Sequence, residues 1–219
     1  AIGDNLYFTD DVDDIVRKID LSNPSFPVTT IAGFPNSAGT RDGTLKNARF
    51  NTPKSMVAIG NKIYLADYGN HGIREIDLTN NVVKNLGAYL YDNYTNISGI
   101  QDGLLIPNNI AQTHRALFKY GNDLYTFSYG LLNKINYKTK SSEVVGGQVF
   151  ERNIVDGNLS TSRLGYAQAG ILDGDNYYFV DFSASLVRKI NLLTMQVSSF
   201  AGTLGVMGNS ATELNNPMN

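Results

Sequence analysis

Short runs of alternating apolar and polar residues recur along this chain. In NKIYLADYGNHGIREIDL, residues 61–78, one apolar run over 63–67 and a second over 73–77 flank the polar turn 68–72. Both runs are rich in strand-favouring residues, and neither is long enough for a typical helix. The pattern therefore predicts two antiparallel strands joined by a tight turn.

The same phrase occurs four times. Related stretches are DNLYFTDDVDDIVRKIDL at 4–21, DNYYFVDFSASLVRKINL at 175–192 and the more divergent GNDLYTFSYGLLNKINY at 121–137. A glycine marks each copy, at Gly3, Gly60, Gly121 and Gly174, so successive copies are 57, 61 and 53 residues apart. Further β-rich runs precede and follow the phrase, as at 54–59 and 82–86. We therefore predict about four antiparallel strands per repeat, in repeats near 1–49, 50–107, 108–161 and 162–219 of one domain spanning 1–219.

A repeated four-stranded unit predicts an all-β fold, namely a β-propeller of four-stranded antiparallel blades. A single small sheet cannot bury both of its faces, whereas neighbouring blades can cover them. Between the units, the Asp-Gly pairs at 42–43, 102–103 and 156–157 are typical of tight turns. Beyond these turns, Phe50, Leu164 and Leu214 are predicted to fill the gaps between sheets.

The number of blades stays open. The end of the chain, NNPMN at 215–219, resembles NTPKSM at 51–56, and its start, AIGDNLYF, resembles AIGNKIYL at 58–65. One interpretation is a four-bladed ring closed by its two termini. The other, which we favour because ring closure would split one short strand, is a window of a longer propeller.

The segment DGTLKNARFNTPKSMVAIGNKIYLADYGNHGIREID, residues 42–77, resembles an NHL repeat. Asn70-His71 lies where the name motif of that family begins, although Gly72 followed by Ile73 replaces the usual Leu. The resemblance covers essentially the whole chain, most clearly the second and fourth copies. It implies a propeller, commonly of six blades and generally used for binding, but the same scaffold carries many activities.

An Asp and an Arg recur seven residues apart in three copies. They are Asp10 and Arg17, Asp67 and Arg74, and Asp181 and Arg188. The third copy lacks both, with Ser128 in place of the Asp and Asn133 near the Arg position. Joint loss predicts that the two side chains contact each other across the hairpin, as a structural pair. The alternative is a ring of carboxylates at the mouth of a channel.

Composition and charge exclude several functions. A net charge of −2, with no basic block, argues against nucleic-acid partners. There are no cysteines, and no apolar run is long enough for a membrane span. The chain starts without Met or a leader peptide, so we interpret it as a processed, trimmed or excised segment. We expect an extracellular or periplasmic location.

Candidate chemistry is sparse. The chain has two histidines, His71 and His114, too few for a histidine-based zinc site, and no serine or cysteine arrangement suggests a catalytic nucleophile. We therefore assign no catalytic residue, no metal ligand and no cofactor. The acidic turn DDVDD is a weak calcium candidate through Asp10, Asp11, Asp13 and Asp14.

The most distinctive insertion is GAYLYDNYTNISGIQDG at 87–103, which lengthens the second spacing. We interpret it as a loop whose Tyr89, Tyr91 and Tyr94 bind a ligand, together with Asn70 and His71, which occur in one copy alone. The predicted function is a non-enzymatic binding or scaffold module with a protein or glycan partner. The alternatives are a metal-dependent propeller enzyme, of a lactonase-like or lyase type, and a structural element of an extracellular assembly.

Overall fold

The computed structural model describes residues 1–92, 96–101, 115–128, 130–148 and 154–204. The regular secondary structure of the described residues consists of β-strands and one three-residue 3₁₀ turn at Tyr68–Asn70. The chain divides into two compact units, 1–114 and 115–219, each with two antiparallel sheets. A single domain spanning 1–219 stays a prediction.

Unit 1 contains sheets 1 and 2. Sheet 1 has the order β1-β2-β3, with β1 (Asn5–Asp10), β2 (Ile15–Asp20) and β3 (Val28–Gly33). Sheet 2 has the order β4-β8-β7-β6-β5, and β9 pairs with β8 off this path. Its strands are β4 (Gly43–Thr44), β5 (Pro53–Ile59), β6 (Lys62–Asp67), β7 (Gly72–Asp77), β8 (Val82–Asp92) and β9 (Asn96–Gln101).

Unit 2 contains sheets 3 and 4. Sheet 3 has the order β10-β11-β12-β13, with β10 (Leu117–Tyr120), β11 (Asp123–Ser128), β12 (Leu131–Asn136) and β13 (Ser141–Gly147). Sheet 4 has the order β14-β18-β17-β16-β15. Its strands are β14 (Gly157–Asn158), β15 (Ala167–Asp173), β16 (Asn176–Asp181), β17 (Leu186–Asn191) and β18 (Gln196–Ala201).

The predicted blades are confirmed as four-stranded antiparallel meanders in sheets 2, 3 and 4, formed by β5–β8, β10–β13 and β15–β18. Sheet 1 differs, because three strands of it are present. Sheets 2 and 4 instead have an additional strand beside the four-stranded meander. Each gains a two-residue strand from the Asp-Gly segment, β4 on β8 and β14 on β18. The predicted linker is thus part of the sheet that follows it.

An irregular step recurs in all four sheets directly before the recurrent arginine, or before Asn133 in sheet 3. The register between the last two strands of the meander shifts at Val16/Arg17, Ile73/Arg74, Leu132/Asn133 and Val187/Arg188. A β-bulge increases local twist and redirects a side chain. The recurrent bulge therefore gives residues 17, 74, 133 and 188 the same place in their sheets.

The core of each unit packs residues of both its sheets. In unit 1, Phe50 is fully buried in a cluster that also contains Val16 of sheet 1 and Leu65 of sheet 2. In unit 2, Phe118 stacks on Tyr177 with ring centroids 3.7 Å apart, and Leu164 is fully buried in the same cluster. Burying one such large apolar side chain contributes about 1.5–3 kcal/mol. Phe50 and Leu164 thus have the gap-filling role predicted for them, and Leu214 lies outside the described residues.

The described part of the chain contains no helix with the length and hydrophobicity needed to span a membrane.

Candidate functional site

The guanidinium of Arg74 is the centre of a buried polar cluster in sheet 2. Its Nη1 donates to Asp67 Oδ2 at 3.0 Å and to the Arg49 carbonyl oxygen at 2.7 Å. Its Nη2 donates to Asp42 Oδ1 at 2.7 Å and to the Arg41 carbonyl oxygen at 3.0 Å. We name this arrangement the clamp, because it ties strand β7 to β6 and to the segments before β4 and β5.

The second carboxylate of the clamp, that of Asp42, also binds the backbone of strand β8. Asp42 Oδ2 accepts a hydrogen bond from the backbone N–H of Asn85 in β8, at 2.9 Å. The guanidinium lies over the Phe50 ring, with Cζ 5.2 Å from the ring centroid. Arg74 therefore contacts strand β6 through Asp67, strand β8 through Asp42, and the core of unit 1 through Phe50.

Sheet 4 repeats the clamp atom for atom at positions 114 residues further on. Arg188 Nη1 donates to Asp181 at 3.3 Å and to the Arg163 carbonyl at 2.6 Å. Its Nη2 donates to Asp156 at 2.7 Å and to the Val155 carbonyl at 3.0 Å. Asp156 in turn accepts the backbone N–H of Ser199 at 2.6 Å.

Burial and hydrogen bonding shift the pKa values of the clamp carboxylates, and in sheet 4 the two shifts have opposite directions. Burial raises the pKa of Asp67 to about 6, although hydrogen bonds from Asn51 and Asn70 and the charge of Arg74 act against it. Burial likewise raises the pKa of Asp181. Burial also disfavours the charge on Asp156, but hydrogen bonds from Arg188 and Ser199 outweigh it and lower the pKa. In sheet 4 the outer carboxylate is thus the firmer counter-ion of the arginine.

Sheets 1 and 3 carry reduced versions of the clamp. Arg17 Nη1 lies 3.4 Å from Asp10 Oδ2, and within the described residues this is its one hydrogen bond. Its side chain is 34% exposed, against 2% for Arg74 and 0% for Arg188. In sheet 3, Asn133 Nδ2 donates to Ser128 Oγ at 2.9 Å, so a neutral pair occupies the place of the charged one.

Asp42 and Asp156 are the clamp residues that sequence reasoning missed. The Asp-Gly pairs predict tight turns, which explains Gly43 and Gly157, at φ +135° and +121°, but does not explain the position of the two carboxylates. A signal existed, because the spacing from Asp42 to Arg74 equals that from Asp156 to Arg188, 32 residues.

The acidic turn of sheet 1 is distributed among several partners. Asp10 pairs with Arg17, Asp11 pairs with Lys54, and Asp14 Oδ1 accepts the backbone N–H of Thr52 at 2.7 Å. Among the residues that the structure describes, no three His, Asp or Glu side chains converge as metal ligands, and this includes Asp13. The weak calcium candidate at Asp10–Asp14 therefore gains no support from the geometry. His114 lies outside the described residues.

Asn70 is tied into the clamp of sheet 2. Its amide Nδ2 donates to Asp67 Oδ2 and to the Gly39 carbonyl oxygen, both at 2.7 Å. Ser183 supplies the equivalent contact in sheet 4, where its hydroxyl donates to Asp181 at 2.7 Å. Both N–H groups of the Asn70 amide are thus used inside the protein, and a ligand-binding role for this residue stays a prediction.

His71 occupies a left-handed turn position that recurs among the sheets. Its φ is 54°, and the equivalent residues Asp14 and Ser185 have φ 58° and 55°. Asp and His adopt this conformation more readily than most residues. The turn therefore accounts for a small polar or histidine residue here, and ligand binding by His71 stays a prediction.

The insertion at 87–103 was predicted as a loop, and this prediction was wrong for most of its length. Strand β8 continues to Asp92, and β9 runs antiparallel to it over 96–101, with Tyr89 opposite Ile100 and Tyr91 opposite Ile97. We name these paired strand segments, residues 88–92 and 96–101, the tyrosine hairpin. Tyr94 lies outside the described residues.

A glycine that is absent from sheet 2 explains the extra hairpin. In sheets 1 and 3 the corresponding strands end at Gly33 and Gly147, and in sheet 4 Gly202 directly follows the strand; the φ of these glycines is 93°, 93° and 94°. A Cβ at Gly33 would approach the Asp14 carbonyl oxygen to 2.8 Å. The register puts Ala88 at this position, opposite Gly72. Because alanine rarely adopts such a φ, β8 continues where its counterparts turn away.

Comparison with known proteins supports the resemblance to NHL repeats. No family model matches this chain. NHL repeat-containing protein 2 of Gallus gallus is 48% identical over 51 residues, which are 23% of this chain and 7% of that protein. Protein SUPPRESSOR OF QUENCHING 1, chloroplastic, of Arabidopsis thaliana is 27% identical over 174 residues. This match covers 74% of the chain and 16% of the Arabidopsis protein, so the chain spans a small part of either relative.

Solved structures of low sequence identity share the fold. An auxiliary nutrient binding protein from Bacteroides ovatus matches 97% of this chain and 58% of its own, with a TM-score of 0.56 and 18% identity. A nidogen/laminin complex matches 90% of this chain and 59% of its own, with a TM-score of 0.55 and 13% identity. Streptogramin B lyase follows at 0.52 and 9% identity, covering 90% of this chain and 50% of that one. The chain is therefore an all-β propeller protein whose repeats are similar to those of NHL-repeat proteins.

Proposed function

We propose that this chain is a non-enzymatic binding module and that the tyrosine hairpin contributes to its binding surface. The partner is a protein or a glycan, and the location is extracellular or periplasmic. The similarity of the fold to a nutrient-binding protein and to a protein found in a nidogen/laminin complex supports this choice. Streptogramin B lyase has a similar fold as well, so the fold alone does not separate binding from catalysis.

The observation that carries the proposal is the restriction of the hairpin to one sheet. Strand β8 has 11 residues, whereas its counterparts β3, β13 and β18 have six, seven and six. Features that recur in the sheets, such as the clamp, are explained by packing. The hairpin has no counterpart in the described parts of sheets 1, 3 and 4. The three tyrosines of the insertion at 87–103 suit recognition, because a tyrosine offers apolar area and a polar tip.

The proposal is tested by binding with and without the tyrosines. A variant with Tyr89→Ala, Tyr91→Ala and Tyr94→Ala is compared with the wild type on an oligosaccharide array and in cross-linking to secreted proteins of the source organism. Tyr166→Ala, at an exposed tyrosine of unit 2, is the matched control. We expect the triple variant to lose at least about tenfold in affinity for a ligand that the control still binds, since aromatic anchors carry much of an interface.

Two results would count against the proposal. One is a ligand whose binding is unaffected by the triple change. The other is chemical conversion of the bound ligand, followed by mass spectrometry, because turnover would assign the chain to the enzymes instead.

A further inference from the structure

One Asp-Gly pair of this chain lies at the tip of a hairpin. Asp173 ends β15 and pairs with Asn176 across the turn to β16, with Gly174 directly after it. Asp173 and Gly174 are both exposed. The other Asp-Gly pairs are at 42–43, 102–103 and 156–157, of which the pair at 102–103 lies outside the described residues.

The turn itself does not require an aspartate. The same turn recurs in each sheet with a glycine whose φ lies between 55° and 58°, at Gly3, Gly60, Gly121 and Gly174. A positive φ at this position is what such a turn demands of its sequence. The residue before the glycine is Ile, Ile, Tyr and Asp in sheets 1 to 4. The carboxyl group of Asp173 is therefore not explained by the fold.

The carboxylates of the other two described pairs are held on both oxygens. Asp42 accepts hydrogen bonds from Arg74 Nη2 at 2.7 Å and from the backbone N–H of Asn85 at 2.9 Å. Asp156 accepts the two equivalent bonds, at 2.7 and 2.6 Å. Among the described residues, no hydrogen bond or ion pair to the Asp173 carboxylate is found. Its side chain is thus free to turn toward its own backbone.

The surroundings of Gly174 leave room for a ring to form there. A Cβ added at Gly174 would meet no atom of a non-neighbouring residue within 4 Å. Glycine also has no side chain to shield its own nitrogen. Asp173 and Gly174 therefore combine an unrestrained carboxyl group with an accessible backbone nitrogen.

We propose that Asp173 is a modification site, at which aspartate converts to isoaspartate, and that the clamps prevent the same reaction at Asp42 and Asp156. The Gly174 nitrogen attacks Cγ of the protonated Asp173 carboxyl, loses its proton, and a water molecule leaves to give a cyclic succinimide. Water then adds to one of the two ring carbonyls. Opening at the former main-chain carbonyl leaves the chain linked through Cγ, which is isoaspartate.

The modification changes a contact between two sheets of unit 2. Isoaspartate lengthens the main chain by one carbon at the tip of the hairpin. Asp175, two residues on from the modified position, accepts a hydrogen bond from Tyr120 Oη of sheet 3 at 2.7 Å. A longer turn displaces Asp175 from Tyr120, so conversion loosens the tip of sheet 4 from sheet 3. The modified chain would be recognised by an enzyme that methylates isoaspartate carboxylates.

The test follows passage through the succinimide in the folded 219-residue chain. The protein is kept in warm neutral buffer made with water enriched in the heavy oxygen isotope, and is then digested in ordinary water. Each ring opening places one heavy oxygen in the product, which mass spectrometry of the peptides detects. Isoaspartate is measured separately, by methylation with an isoaspartate-specific methyltransferase.

We expect isotope uptake at Asp173 to be at least about tenfold faster than at Asp42 or Asp156. Cyclisation at the two clamp residues must first break their hydrogen bonds, and about 1.4 kcal/mol added to a barrier slows a reaction tenfold. In urea, where the clamps are lost, the three rates should become similar. Asp173→Ser should remove most of the methylation of the aged protein.

Two arginine variants separate the clamps from each other. Arg74→Ala should speed isotope uptake at Asp42 and leave the rate at Asp156 unchanged, whereas Arg188→Ala should do the reverse. Each variant thus contains its own control in the other unit, and the wild-type comparison with urea remains if a variant does not fold.

Three outcomes would overturn the proposal. One is equal uptake at the three aspartates of the folded protein. Another is uptake at Asp173 that is at least about tenfold slower in the folded protein than in urea, since it would show that the fold protects this site as well. The third is uptake at Asp173 without isoaspartate. None of these results depends on ligand binding, so the inference is tested separately from the proposed function.

Discussion

Replacing Arg74 by alanine tests the clamp most directly. The change removes four hydrogen bonds of 2.7–3.0 Å, two to carboxylates and two to backbone carbonyls, and leaves Asp67 without its cation. Breaking a buried ion pair by removing one partner costs about 3–5 kcal/mol. Since single domains are stable by roughly 5–15 kcal/mol, this loss is a large fraction of the total.

Arg17→Ala is the internal control, because the same residue type in the same register has one hydrogen bond, at 3.4 Å, and a partly exposed side chain. An exposed pair contributes about 0–1 kcal/mol. We therefore expect Arg74→Ala to lower the midpoint of thermal unfolding by about 8–15 °C and Arg17→Ala by less than about 4 °C. Far-UV circular dichroism during heating and in urea measures both.

The cost of Arg74→Ala should also depend on pH. The pKa of Asp67 is already raised to about 6 by burial, and loss of the guanidinium raises it further. A folded-state pKa above the unfolded value favours the folded state at low pH, and this contribution is lost as pH rises through the folded pKa. Arg74→Ala should therefore be less destabilising at pH 5 than at pH 8. Equal losses for Arg74→Ala and Arg17→Ala, or no pH dependence, would refute the reasoning.

Three further substitutions probe other parts of the sheets, each measured as the free energy of unfolding in urea. Gly33→Ala should destabilise unit 1 by about 2 kcal/mol, because the φ of Gly33 is +93° and the new Cβ would lie 2.8 Å from a carbonyl oxygen. Gly3→Ala, with φ +55° and open space around the new Cβ, should cost about 1 kcal/mol or less, and similar losses for the two variants would contradict the steric argument. Asp156→Asn should cost about 2 kcal/mol at pH 7. Because the pKa of folded Asp156 is lowered, the stability difference between wild type and variant should shrink as pH falls below about 4. A stability difference that does not depend on pH would contradict this prediction. Ser128→Ala should cost about 1–2 kcal/mol by leaving a buried amide N–H of Asn133 with its 3.5 Å contact to a backbone carbonyl alone, and a change below about 0.5 kcal/mol would argue against the neutral pair of sheet 3.

Comparison of the four copies alone could predict the hairpins and the contact between the arginine and the aspartate seven residues before it, as in Asp67 and Arg74. The joint absence of Asp and Arg in the third copy pointed to a contact between them, and the distances of 3.0–3.4 Å in the other three copies are those of ion pairs. The contact between Arg74 and Asp42 was harder to predict, since Asp42 lies 32 residues before Arg74 and an Asp-Gly pair already has a local explanation in turn formation. Local turn chemistry thus concealed a long-range role.

The candidate binding residues were less predictable, because they occur in one copy, so comparison with the other copies does not predict their contacts. The occurrence of Asn70 in one copy predicts ligand binding, but its amide also donates to Asp67 Oδ2 and to the Gly39 carbonyl oxygen within the clamp. Occurrence in one copy therefore does not separate a binding role from a local variant of the clamp. The Tyr- and Asn-rich composition of the insertion at 87–103 predicts a loop, but most of it lies in strands β8 and β9. The decisive residue was Ala88, whose significance depends on three glycines that terminate the equivalent strands elsewhere in the chain.

The distribution of complete clamps along the chain bears on the order in which the protein folds. Sheet 2 in unit 1 and sheet 4 in unit 2 each contain one complete clamp, whose members span 41–85 and 155–199. Contacts over such short stretches form with little loss of loop entropy. Each unit thus has one sheet able to nucleate on its own and one that gains stability by docking onto it. Amide exchange should accordingly be slowest in β7 and β17 and faster in β2 and β12, and the nascent chain would acquire its first stable sheet once residue 85 has left the ribosome.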